Sequence, residues 1–291
     1  MTQPATAAPL LYPDERRDAL LLAVLAAVVL PWIPDQPLAA LGGIAPRPLA
    51  VLVLVILALQ AAGQVAMRAL GARGGVLATG LLGGFVSSTA TVASLGSQAR
   101  AEPSHARLFA HAAALSAVST WVQAALITFT LAPRAAAALA PMALAGALAA
   151  GAAGLLALRT PDGTARPPAA MRRSALRPRE ALLVAAVLAG VAIAVNLARE
   201  RWGEAGLLAG VALAAAADAH APVASLAALQ AAGTVSAAEF LSGVLLAVGV
   251  NTLTRCAIAA LTGGAVYARR VAASLAASWV AAAGAWLWSV A

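Results

Sequence analysis

The chain has 291 residues, 62% of them hydrophobic and 10% charged, well under the roughly 25% charged share of an ordinary soluble domain. With a mean hydropathy of +0.89, that apolar surface cannot be hidden in a soluble fold of this size, so an integral membrane protein is expected. The formal charge is +8, but its arginines stand in short links between apolar segments, as in cytoplasmic membrane loops. No basic patch interleaved with aromatics marks a nucleic-acid surface.

In chain order, residues 1–18 read as a polar tail ending in Asp14-Glu15-Arg16-Arg17 and Asp18. Residues 19–46 hold a short first membrane helix, Ala19 to Ile33, and its loop. No small-x-small cleavage site follows, which disfavours a signal peptide. The later apolar segments are Leu49–Leu70, Gly75–Ser97, Ala106–Leu131, Ala135–Leu158, Ala181–Ala198, Gly206–Ala231, Phe240–Leu261 and Val271–Val290. Each is near the roughly 20 residues that cross about 30 Å of hydrocarbon. Residues 159–177 form an arginine- and proline-rich linker, and Trp279, Trp286 and Trp288 suit a membrane interface. The single Cys256 excludes an internal disulfide and reads as a small core residue.

Two of these segments match each other without gaps at an offset of 131. Gly75 falls on Gly206, Leu77 on Leu208, Leu82 on Leu213, and Val92 to Leu95 on Val223 to Leu226. The register holds at Arg68 and Arg199, Phe109 and Phe240, and Ile127 and Ile258. An internal duplication is expected, with repeat one at 47–158 and repeat two at 178–291.

Arginine placement tests the topology. If all nine segments span, either the six arginines from Arg159 to Arg179 lie outside, or the loop arginines divide evenly. If the two matched stretches are broken and re-entrant, 14 arginines face the cytoplasm and Arg47, Arg134, Arg199 and Arg201 lie outside. Three full spans per repeat then make the repeat inverted, a frequent transporter plan. The expected fold is an all-α polytopic bundle with an inverted internal repeat and broken or re-entrant helices.

The candidate site sits in the matched stretches. Gly83, Gly84, Ser87, Ser88 and Thr89 either pack helices closely or form a break whose amides and hydroxyls face a ligand. Their counterparts include Asp218, opposite Ser87, and His220, opposite Thr89. A carboxylate between apolar segments by default indicates function, here ion coupling or substrate contact. His220 is a proton acceptor, a ligand or a satisfied interior histidine. Arg255 either snorkels to the cytoplasmic surface or takes Asp218 as its counter-charge, with Asn251 one turn before it on the same face. Thr120 and Gln123 occupy the equivalent stretch of repeat one. Gln60 and Gln64 share a face as interhelical hydrogen-bond donors. The spacing is wrong for a phosphate loop, and no zinc-protease motif, nucleophile elbow or paired carboxylates occur. An enzyme is not expected, nor a metal site or cofactor.

The chain resembles the domain of unknown function that forms the C-terminal membrane part of many bacterial MgtC/SapB-family proteins. The resemblance rests on Asp14 to Arg17, Leu30-Pro31, Gly71-Ala72-Arg73-Gly74, GGFVSSTATVASL (Gly83 to Leu95), Ala217-Asp218-x-His220-Ala221 and VGVNTLTR (Val248 to Arg255). It implies a multi-pass bacterial inner-membrane protein loosely tied to magnesium or transport. The family pattern carries a second aspartate where His220 stands and a basic residue near Gln123, and its small N-terminal domain has no counterpart here. Magnesium fits poorly, since it prefers an oxygen-rich octahedral site and Asp218 alone lies deep. An anion or zwitterion coupled to protons suits the residues better.

The expected function is secondary transport of a small ionic or polar solute. The alternative is a non-transporting membrane regulator or assembly partner. Expected partners are the lipid bilayer and that solute, with a homo-oligomer left open.

Overall fold

The computed structural model describes residues 13–36, 38, 45–70, 75–156 and 178–290. The first 12 residues, the Gly71 to Gly74 turn and the linker 159–177 lie outside them. The described chain is helical throughout, with no β-strand: α1 (Pro13–Val29), α2 (Pro46–Leu70), α3 (Gly75–Ala101), α4 (Ala106–Leu131), α5 (Pro133–Leu155), α6 (Pro178–Ala217), α7 (His220–Ala231) and α8 (Ala237–Val290).

Helix α1 starts earlier than the apolar pattern implies and takes in Asp14 to Arg17. Proline lacks the N–H that a first helical residue cannot use, and acidic residues favour the positive end of a helix. Arg47 then fixes the start of α2 to the end of the first segment, donating to the carbonyls of Ile33 and Pro31, both at 3.0 Å.

The two longest helices cannot be single passes. As straight rods, 40 and 54 residues would span about 60 and 81 Å, against about 30 Å of hydrocarbon. Each is folded at a glycine whose backbone an L-residue rarely adopts: Gly203 (φ 60°, ψ −140°) and Gly264 (φ 75°, ψ 174°). Around Gly203, Gly206 packs against Ala198 and Gly210 against Val195, so the arms of α6 run antiparallel. Around Gly264, Gly249 packs against Trp279, whose indole N–H donates to the Leu245 carbonyl at 2.9 Å. Helices α4 and α5 likewise pair antiparallel, Gly146 on Trp121 and Gly154 on Leu115.

Helix α3 is interrupted at Ser87, which is extended (φ −167°, ψ 108°). Gly83 lies against Thr91, two residues that a continuous helix would hold about 12 Å apart. The halves of α3 therefore fold back on each other. The first half runs alongside α4 in the same direction, Gly80 against Ala112 and Gly84 against Ser116.

Among the described residues, five helices are long and apolar enough to cross a membrane: Pro46–Gly63, Gly75–Ala101, Pro103–Leu131, Pro133–Leu155 and Ala237–Trp288. Large apolar side chains such as Phe129, Leu148, Leu213, Leu253 and Leu261 point outward. That face would be untenable in water and is what contact with lipid requires. This is a multi-pass membrane protein with an all-helical fold.

Candidate functional site

Folding α3 at Ser87 leaves backbone groups without helical partners, and neighbouring side chains take them up. Gln123 on α4 donates through Nε2 to the Phe85 carbonyl at 3.2 Å, and one turn earlier, before the break, Ser119 ties the same helix to α4 by donating to the Leu81 carbonyl at 2.6 Å. On the other side of the break, the Ser87 hydroxyl accepts the Ala90 N–H at 3.2 Å and caps the second half of α3.

The gap between α6 and α7 is built the same way. Thr254 on α8 donates to the Ala216 carbonyl at 3.1 Å, and Asn251 donates through Nδ2 to that of Ala215 at 3.3 Å. Asp218 caps α7, its Oδ2 accepting the His220 N–H at 3.0 Å. Ser87 and Asp218 are 131 residues apart, and so are Phe85 and Ala216, and Gln123 and Thr254.

The two interruptions meet at a cavity of about 520 Å³, within the range of about 300–1,000 Å³ usual for small-molecule sites. Ser87, Ser88 and Thr89 line it from α3, Asp218 and His220 from the α6–α7 gap, and Gln123 from α4. Gln60 on α2 and Leu183, Val187 and Leu188 on α6 complete the wall. His220 links the parts: its Nδ1 lies 2.7 Å from Asp218 Oδ1 and its Nε2 lies 3.0 Å from Gln123 Oε1. Asp218 is the only carboxylate on the cavity among the described residues.

A family model described as a domain of unknown function, DUF4010, matches residues 54–263. The chain belongs to the DUF4010 family. The match does not tie this DUF4010 protein to MgtC or SapB. No curated protein and no solved structure matches it.

The remaining expected residues of the DUF4010 chain lie behind the cavity. Gly83 packs on Thr91, and Gly84 on Ser116 and Ser119; a side chain on either would push these helices apart. Asn251 is buried on the Ala215 carbonyl and does not line the wall. Arg255 neither snorkels nor pairs with Asp218. It is 1% exposed, donates to the hydroxyls of Ser116 and Thr120, and leaves Nε without a partner. Asp218 is instead engaged by His220, the neighbour its capping geometry brings round.

The sequence undervalued Gln123 and Gln60, since a lone glutamine in an apolar helix reads as a packing contact. The usable signal for Gln123 was its register with Thr254. The α6 wall carried no signal, because Leu183, Val187 and Leu188 belong to an ordinary apolar run.

Proposed function

We propose that this DUF4010 protein is a secondary transporter of a small ionic or polar solute in the bacterial inner membrane, with the cavity as its binding site. The observation that carries this reading is the meeting of two helix interruptions, at Ser87 and at Asp218–Ala219, on one polar-lined cavity. Irregular backbone at membrane depth is tolerated where it is buried in protein or lines a cavity, and paired broken helices are a common way to build a transport site.

The inverted, re-entrant arrangement belongs to this proposal. The repeated offset of breaks and capping bonds supports duplication. Arg100, near the α3–α4 turn, donates to the carbonyls of Thr262 and Leu261 beside the Gly264 turn. The chain region corresponding to Gly264 in the first half is the α4–α5 junction, at the other end of α4. That pairing of ends supports opposite orientation of the halves. The arginine count of 14 against 4 favours the same arrangement with the linker in the cytoplasm.

The test is uptake into proteoliposomes by the whole chain and by Asp218→Asn. We expect the variant to insert and fold while uptake is abolished; undiminished uptake would remove the acidic residue from the mechanism. Copurification of a stoichiometric partner, with no transport by the wild type, would favour the regulator reading.

A further inference from the structure

We infer that the start of the second half of α3 is a binding site for a small monocarboxylate, formed by Ser87, Ser88 and Thr89; this rests on reading the cavity as a solute site. Two helix starts face the cavity, and they differ in charge. At α7 the protein supplies its own carboxylate: both oxygens of Asp218 are engaged by His220, through the backbone N–H at 3.0 Å and the ring at 2.7 Å. At α3 the same position of the matched stretch is Ser87, whose hydroxyl takes one N–H and brings no charge. A helix start carries about half a unit of positive charge and N–H groups without intrahelical acceptors.

An independent observation marks this start as a ligand site. Ser88 is 5% exposed, lies on the cavity wall, and its hydroxyl has no hydrogen-bond partner in the protein. Thr89 and Gln60 also line the cavity without a side-chain hydrogen-bond partner. Hydroxyls that face the cavity without a protein partner are free to donate to a ligand, and a carboxylate would accept from those of Ser88 and Thr89 as well as from the helix.

The sign of the ligand follows from the neighbouring charges. Behind Gly84, Arg255 is buried against Ser116 and Thr120, and no carboxylate of the described residues forms an ion pair with it. Asp218, the one acid on the cavity among those residues, is already matched by His220. One guanidinium without a carboxylate partner among the described residues, and one helix start capped by a neutral hydroxyl, fit one negative charge, and they disfavour a cation.

The experiment is thermal unfolding of the purified, full-length protein in detergent, titrated with acetate, lactate and benzoate, each against its amide. Ligand that binds only the folded state raises the melting temperature. We expect at least one carboxylate to do so at millimolar concentration and its amide not to. Ser87→Asp places a tethered carboxylate at the helix start and should weaken that binding at least about tenfold. Should this variant fail to fold, Ser88→Ala combined with Thr89→Val should weaken binding by a similar factor. No response to any of the three carboxylates, equal response to the amides, or wild-type affinity in a folded variant would overturn the inference. Binding is read here without transport. A protein that binds carboxylate but moves nothing loses only the transporter reading, and one that moves another solute and ignores carboxylates loses only this one.

Discussion

His220 and Gln123, 97 residues apart, are joined by a hydrogen bond of 3.0 Å between Nε2 and Oε1. The directions in this chain are fixed by its far end. A carbonyl can only accept, so Gln123 gives its amide N–H to Phe85 and has only its oxygen left for His220. His220 Nε2 must therefore carry a proton. Its Nδ1 faces Asp218 Oδ1 at 2.7 Å, which requires one more proton, held by either atom. Asp218 and His220 thus behave as one neutral unit that ties the α6–α7 interruption to the one in α3.

Replacing His220 should break both links at once. Charge-assisted hydrogen bonds contribute about 1.5–3 kcal/mol, so His220→Phe should lower stability by about 2–3 kcal/mol, read as a drop in melting temperature in detergent. Gln123→Leu should cost less, about 1–2 kcal/mol, because the Asp218–His220 contact survives. Equal melting of wild type and His220→Phe would mean that the relay carries no energy.

The interruption at Ser87 should depend on its hydroxyl and on its backbone in different ways. Ser87→Ala removes the cap on Ala90 and should cost about 1 kcal/mol. Ser87→Pro should cost about 3 kcal/mol or more, because a proline ring holds φ near −65° while this residue sits at −167°. The ranking of the two melting temperatures is the check, and a proline variant as stable as the alanine one would contradict the described break.

Much of this arrangement was legible beforehand, and the physical reason differs by region. The breaks were marked because glycines and hydroxyl residues cluster around Ser87, and because the matching position holds Asp218, a carboxylate that is unfavourable in lipid unless something uses it. The reversals at Gly203 and Gly264 were harder to assign, since glycine is frequent in this chain and only the backbone torsion separates a turn from a packing contact. Arg255 was misjudged because depth along a span does not reveal which helix lies opposite. The hydroxyls of Ser116 and Thr120, which hold it, are far from it in sequence.

The close packing of α3 on α4 gives a prediction about glycine. A Cβ on Gly80 would lie 1.9 Å from the Ala112 carbonyl oxygen, a backbone atom that cannot swing aside. Gly80→Ala should separate the two helices and cost at least about 1–3 kcal/mol. Gly190→Ala meets nothing within 4 Å and should be neutral or slightly stabilising, because alanine favours the helix. Comparing the two variants by thermal melting separates packing from propensity, and similar losses at both positions would refute the packing argument.

Arg255 provides the sharpest separation of function from stability. Burying a charge without a counter-ion is unfavourable, and replacing buried ionic groups with apolar ones of similar volume is often neutral or stabilising by about 1–4 kcal/mol. The groups it contacts do not depend on it. Ser116 also donates to the Ala113 carbonyl at 2.6 Å, and Thr120 to that of Ser116 at 3.2 Å, so removing the guanidinium leaves neither hydroxyl without a partner. Arg255→Met should therefore melt at the wild-type temperature or above. If its positive charge serves an anionic solute, carboxylate binding and uptake should fall at least about tenfold in the same variant. A clear loss of stability with undiminished binding would instead make Arg255 a structural tie between α8 and α4.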